Sequence, residues 1–250
     1  MNIVNPYNEL EHKVYNRTFL RNIQVKFEFD LCEGILGNTP IVRDFFNKYF
    51  NVVVNHDSSS SYSCIELRDS EKQIKFVFTE EQAVVEVGAG FYKSFTETMF
   101  PLVARLTAFM EQICSISCIK KLTITKQNVW QVKADTELKE IYASALRYTF
   151  KEHHVDDFVS IPFPNEPQFK MSKEANIDLD GGMLKVIMST DIKNAQEADF
   201  MLDFIASADS VSVAEALDIS TGLSNVIYCA FHDIVSKNVV DLMEQKGGKQ

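Results

Sequence analysis

Nine glycines in 250 residues, with neither Gly-x-x-x-x-Gly-Lys nor Gly-x-Gly-x-x-Gly among them, leave no loop of the kind that cradles phosphates. Gly-x-Ser-x-Gly is missing too, so a nucleophile elbow is excluded. No run of about 18 consecutive apolar residues occurs, and the start, Met1-Asn2-Ile3-Val4-Asn5-Pro6-Tyr7, has neither a basic nor an apolar leader region. The expectation is a cytoplasmic protein, neither exported nor membrane-spanning. The cysteines number five, an odd count, and are scattered (Cys32, Cys64, Cys114, Cys118, Cys229), which argues for reduced thiols rather than a disulfide framework. Cys114 and Cys118 read as four apart on one helix face, but no second pair has zinc-site spacing, so they read as small apolar residues. Asn16-Arg17-Thr18 fits the glycosylation sequon but needs a secretory route.

What the chain does have is an ordinary globular composition, 46% hydrophobic and 24% charged, enough apolar surface to build a core. Its charge is uneven. Net charge is −10, and the stretch from Glu174 to Glu244 holds 13 acidic residues against 3 basic ones, leaving the remainder balanced. An acidic C-terminal third repels phosphate backbones, so nucleic acid is not an expected partner.

Alternation places Ile23, Val25, Phe27 and Phe29 on one side of a strand from Asn22 to Leu31. Thr39-Pro40 then opens a short helix to about Tyr49, with Thr39 as cap and Pro40 at the first helical position. Beyond a serine-rich loop from His56 to Ser63, strands are predicted at 64–68, 73–79 and 83–87. Ser94-Phe95-Thr96-Glu97 is a capping box, followed by Phe95, Met99, Leu102, Leu106, Phe109 and Ile113 at helical spacing; Pro101 implies a kink or a late start. A long strand over 119–132 and a helix over 136–150 come next, then three prolines within 161–167. Strands over 169–179 and 183–190 flank Asp180-Gly181-Gly182, a hairpin signature, and 200–206 is a further strand. Ser212-Val213-Ala214-Glu215 repeats the capping box ahead of one long final helix reaching Leu242, with Gly222 as an interruption. The fold class is therefore α+β, as two similar halves, each an antiparallel sheet followed by a long amphipathic helix. The divisions are 1–133, a connector over 134–167, and 168–250.

Chemistry-bearing candidates are few. Asn176 to Gly181 begins like a calcium loop, but the twelfth position is Ile187, which cannot supply the closing carboxylate. His153-His154 with Asp156-Asp157 and the neighbours His232-Asp233 point apart on any regular element. Basic and aromatic residues interleave from His12 to Phe27 (Lys13, Tyr15, Arg17, Phe19, Arg21, Lys26), a pattern that suits either a single-stranded nucleic acid or a polar-faced strand. The least ordinary feature lies on the long strand. If Leu122 and Ile124 face inward, strict alternation sends Lys126, Asn128 and Trp130 inward with them. Buried Lys and Asn need partners, so either a bulge changes the parity or these three line a pocket or interface. They are the candidate ligand-binding residues; no catalytic residue, metal site or cofactor is expected.

Gln24 to Phe29, Ile119 to Asn128, Phe200 to Phe204 and Leu223 to Phe231 resemble segments of a sporadically distributed family of uncharacterised bacterial proteins of about this length. In the second segment the family shows Arg-Tyr-x-Asn, where this chain has Thr125, Lys126 and Asn128. The resemblance implies a bacterial, cytosolic α+β protein with no established activity, and the family's patchy distribution suggests mobile or defence-related gene cassettes. Together with the acidic C-terminal third, it leads to an expected interaction protein, an accessory or sensor component with a protein partner or a second copy of itself. The alternatives are a small-ligand-binding protein or enzyme with a pocket between sheet and helices, and a nucleic-acid binder using the N-terminal basic-aromatic stretch.

Overall fold

The computed structural model describes residues 3–13, 15, 18–56, 63–133, 170–194 and 197–244. The expected helix over 136–150, the proline-rich stretch over 161–167 and the His153-His154 cluster lie outside them. Mixed helix and sheet is what forms, and the nine strands of the described residues join one antiparallel sheet. In chain order these are β1 (Leu20–Glu28), β2 (Val52–His56), β3 (Cys64–Asp69), β4 (Ile74–Phe78), β5 (Gln82–Gly88), β6 (Cys118–Lys133), β7 (Lys170–Leu179), β8 (Gly182–Asn194) and β9 (Glu197–Ser212). They lie side by side as β2-β3-β4-β5-β1-β6-β9-β8-β7. Two separate sheets were expected; instead β1 and β6 pair along their length and fuse the two sets of strands.

Helices α1 (Gly34–Gly37) and α2 (Thr39–Phe46) follow β1, α3 (Phe100–Gln112) follows β5, and α4 (Ala216–Ile234) and α5 (Lys237–Glu244) close the described chain. Alternation makes the packing face. Ile23, Val25 and Phe27 of β1 oppose Val87, Val85 and Ala83 of β5 on one side and Lys126, Ile124 and Leu122 of β6 on the other. All of these apolar residues are fully buried. The other parity, Gln24, Thr125, Gln127 and Asp203, is only half-buried. A sheet with one covered face reads as this apolar-in, polar-out alternation, which is why its strands were legible. Under α2, Phe46 is wholly buried with ring centroids 4.7 to 5.3 Å from Phe76, Phe78 and Phe109. Arg105 Nε donates to the Phe45 carbonyl at 3.0 Å and holds α3 to α2.

Several local expectations are corrected. Asn38, not Thr39, precedes α2, so Pro40 takes the second helical position. β2 was not anticipated, because Val52-Val53-Val54 is an apolar run without alternation. Ser94 does cap its helix, its Oγ accepting from Glu97 N at 3.1 Å. Pro101 lacks an N–H, and the turn before it, Phe95–Met99, is wound as a π-turn with Phe100 N donating to Phe95 O, so regular α-helix starts late. Ile113 lies beyond the last turn of α3 and is 42% exposed. Cys114 follows that helix and Cys118 opens β6, so the two do not share a helix face, and Cys118 is exposed. The Ser212 hydroxyl bonds the Glu215 carboxylate at 2.6 Å rather than a backbone N–H. Gly222 does not interrupt α4; it lies under Ile3, where an added Cβ would meet Ile3 Cβ at an ordinary contact distance of 3.4 Å. The final helix is two helices. Val235 is extended, and the Ser236 carbonyl starts α5 by accepting from Val239 N at 3.1 Å. The hairpin signature holds: Leu179 pairs with Gly182 across Asp180-Gly181, with Gly181 at φ 85°.

The aromatic cluster under α2 sets a prediction. Phe46→Ala should cost about 3–5 kcal/mol of stability, whereas Ile113→Ala should stay within about 0.5 kcal/mol. Denaturant unfolding of both variants measures the contrast.

Candidate functional site

β6 is paired on both sides, with β1 and with β9, and its register against β9 runs unshifted from Lys121 to Lys133. The one irregularity is in the neighbour, where Leu20 opposes Asn128 and Asn22 opposes Gln127, leaving Arg21 as the extra residue of a bulge. The bulge keeps Leu20 inside and leaves the parity of β6 untouched. Lys126 and Asn128 therefore follow Leu122 and Ile124 onto the covered face, at 8% and 7% exposure. Their cross-strand neighbours are apolar: Ile23 and Phe204 flank Lys126, while Leu20 and Leu202 flank Asn128. Trp130 opposes Phe200 in the same ladder; its side chain lies outside the described residues.

Lys126 and Asn128 have each found a partner. Asn128 Nδ2 donates to the Leu202 carbonyl at 3.1 Å, across the strand boundary. Lys126 Nζ reaches α4, donating to Ser224 Oγ at 3.0 Å and to the Ser224 carbonyl at 3.4 Å. These partners are neutral. Burial pushes the Lys126 amine down to about 8, only weakly countered by the Cys229 thiol.

Beside these two residues is a cavity of about 190 Å³. Its floor is the sheet, with Leu20, Lys126, Asn128 and Phe204. One wall is α4, where Ile227, Tyr228, Phe231 and His232 share a face by helical spacing. Tyr92, Lys93 and Ser94, entering the turn before α3, make a second wall, and Met243 of α5 closes one end. The cover is the N-terminal segment. His12 stacks on Tyr228 with ring centroids 4.0 Å apart, and its Nε2 lies 2.8 Å from Asn225 Oδ1. Lys13 N donates to Tyr228 Oη at 3.1 Å, and Tyr15 Oη lies 3.0 Å from His232 Nε2. Burial holds the hydroxyls of Tyr15 and Tyr92 well above the ordinary tyrosine range, so both remain neutral hydrogen-bonding groups at physiological pH.

Of the three sequence candidates, the structure brings Lys126 and Asn128 together on the cavity floor. His12, Tyr15, Tyr228 and His232 were missed as members of the same site. Tyr228 and His232 carried a readable signal, a spacing of four on one helix face, whereas the pair weighed in the sequence was His232 with its neighbour Asp233. His12 and Tyr15 of the basic-aromatic stretch pack against Tyr228 and His232 of α4. The calcium-like segment 176–187 is the β7–β8 hairpin, and the described residues contain no cluster of three or more metal-ligating acidic, His or Cys side chains.

No protein-family model and no curated protein matches the chain. Among solved structures, it is similar to the Methanococcus jannaschii TBP at 10% identity and a TM-score of 0.27, over 85% of this chain and 98% of that one. A likeness at that score carries no argument about function.

The depressed Lys126 amine has a consequence for stability. Its ordinary value is 10.5 and its folded value about 8, so the unfolded chain holds the proton more tightly. The penalty is full below pH 8 and is relieved as pH rises to 10.5. At about 1.4 kcal/mol per unit, it comes to about 3 kcal/mol. Lys126→Met removes it, leaving Ser224 free to bond the carbonyl one turn earlier. Unfolding free energies measured from pH 7 to 10.5 should show wild type gaining about 3 kcal/mol relative to the variant. Parallel curves would contradict a buried, depressed amine.

Proposed function

We propose that this chain is a small-molecule-binding protein whose site is the half-open cavity between the sheet, α4 and the N-terminal segment. The observation that carries it is the pairing of a cavity of about 190 Å³ with a buried lysine on its floor that has only neutral hydrogen-bond partners among the described residues. A buried charge is costly unless something compensates it. A pocket of mostly apolar surface with a few convergent polar groups is what small-ligand sites look like. Whether the chain also turns its ligand over is a separate question. Tyr15 with His232, and Lys126, are the groups that could move protons in the cavity.

The arrangement of strands supports a second element of the proposal, an internal duplication. On either side of the β1–β6 junction, the last strand before a long helix, β5 or β9, lies beside the first strand of its own set, β1 or β6. An approximate two-fold axis between β1 and β6 would relate the two sets. The charge distribution supports a partner reading as well. A basic protein partner, or a basic patch on another copy, could dock on the acidic C-terminal third, as expected of an accessory component from a bacterial mobile or defence-related cassette.

Ligand-observed NMR with a fragment set of neutral and charged single-ring compounds tests the cavity. Fragments should bind wild type in the millimolar range or better, and Ile227→Phe, which grows into the cavity while its melting temperature certifies folding, should abolish binding. Binding that survives in that variant would place the ligand elsewhere, and no binding at all would remove the proposal.

A further inference from the structure

The titratable side chains facing the cavity have a bias opposite to that of the whole protein. The chain carries a net charge of −10. Among the described residues lining the cavity, however, the titratable groups are His12, Lys13, Lys93, Lys126, His232 and three tyrosines, with no aspartate or glutamate. Lys13 has an outlying partner, Glu244, at 3.4 Å across a surface where both side chains are about half exposed or more. Among the described residues Lys126 has no such partner: it lies between Ile23 and Phe204 of the neighbouring strands, and its ammonium donates to the hydroxyl and carbonyl of Ser224. An ammonium bonded to neutral acceptors alone keeps most of its desolvation cost, which an anion entering the cavity would remove.

The rest of the cavity restricts what that anion can carry. Phe204, Phe231, Tyr15 and Tyr228 supply aromatic surface, and Leu20 and Ile227 supply aliphatic surface. A dry cavity of about 150 Å³ takes up benzene, so about 190 Å³ holds one ring with one small substituent. Resting on the cavity reading above, we propose that the ligand is a single-ring organic acid, its carboxylate on the Lys126 ammonium and its ring among Phe204, Phe231 and Tyr228. One further feature agrees. Ser94, on the rim, sits at the positive end of the helical segment it caps, which favours a negative group nearby. Lys93 and Lys13, also in the lining, each lie beside a surface carboxylate, Glu97 at 3.9 Å and Glu244 at 3.4 Å.

Three probes separate the parts of this proposal when titrated into the full chain by calorimetry: benzoate, its uncharged counterpart benzamide, and inorganic phosphate. Benzoate should bind wild type about 10- to 100-fold tighter than benzamide, the usual range for one charge-assisted hydrogen bond. Phosphate, which has charge but no ring, should bind more weakly than benzoate. In Lys126→Met the preference for benzoate over benzamide should vanish, with cooperative thermal unfolding certifying that the variant is folded. The wild-type ratio decides by itself should that variant fail to fold. Equal binding of benzoate and benzamide would overturn the acid and leave the cavity reading standing. Phosphate binding as tightly as benzoate would overturn the ring. No binding of any probe at 10 mM, a concentration that reveals affinities down to about −3 kcal/mol, would overturn both the proposal and the reading it rests on.

Discussion

The constraint on which the rest depends is the two-residue repeat of β6, locked from both sides. A strand at a sheet edge can slip or twist to put an awkward side chain into water. β6 has a ladder on each flank, and a shift by one residue would expose Leu122 and Ile124 while burying Thr125 and Gln127. The apolar half of the strand thus dictates the fate of the polar half: Lys126 and Asn128 go inside because their predecessors must. The surroundings adjust to them. Asn128 is satisfied by a carbonyl of β9, and α4 presents a serine where Lys126 arrives. The bulge at Arg21 takes up the mismatch in β1, so β6 itself stays regular.

From that strand the site is assembled by parts with different tolerances. The floor is shared with the core and is as rigid as the sheet. The α4 wall is one face of a 19-residue helix, so Ile227, Tyr228, Phe231 and His232 move as a unit. The cover is held by a ring stack and a few hydrogen bonds between the N-terminal segment and α4, each contributing about 1 kcal/mol. A weakly fastened cover over a rigid floor can open without disturbing the core.

Much of this was legible in the sequence, and the limits have physical causes. Strands β1, β4 and β6 could be read because one face of the sheet is covered and the other is not, which writes a period of two into the chain. The inward turn of Lys126 and Asn128 followed from the same period. β2 was not legible because its valines do not alternate, and the break between α4 and α5 was not because neither glycine nor proline marks it at Val235-Ser236. That the strands form one sheet rather than two depends on β1 pairing with β6, about a hundred residues away, and local periodicity carries no record of partners. The cavity was hidden for the same reason: its floor was visible, but His12, Tyr15 and His232 meet only through contacts more than two hundred residues apart in the chain.

That separation bears on when the site comes into being. His12 contacts Asn225 and Lys13 contacts Glu244, which are 213 and 231 positions away. Closing so long a loop gains few contacts for the entropy lost, so sheet and helices have reason to form before the N-terminal segment settles onto α4. On a ribosome, that segment emerges ahead of the rest of the described chain and waits for its dock until nearly all of it has been made. The covered cleft is therefore the last-formed part of the described chain, and a ligand present at that moment would meet a wider groove than the one the finished fold leaves.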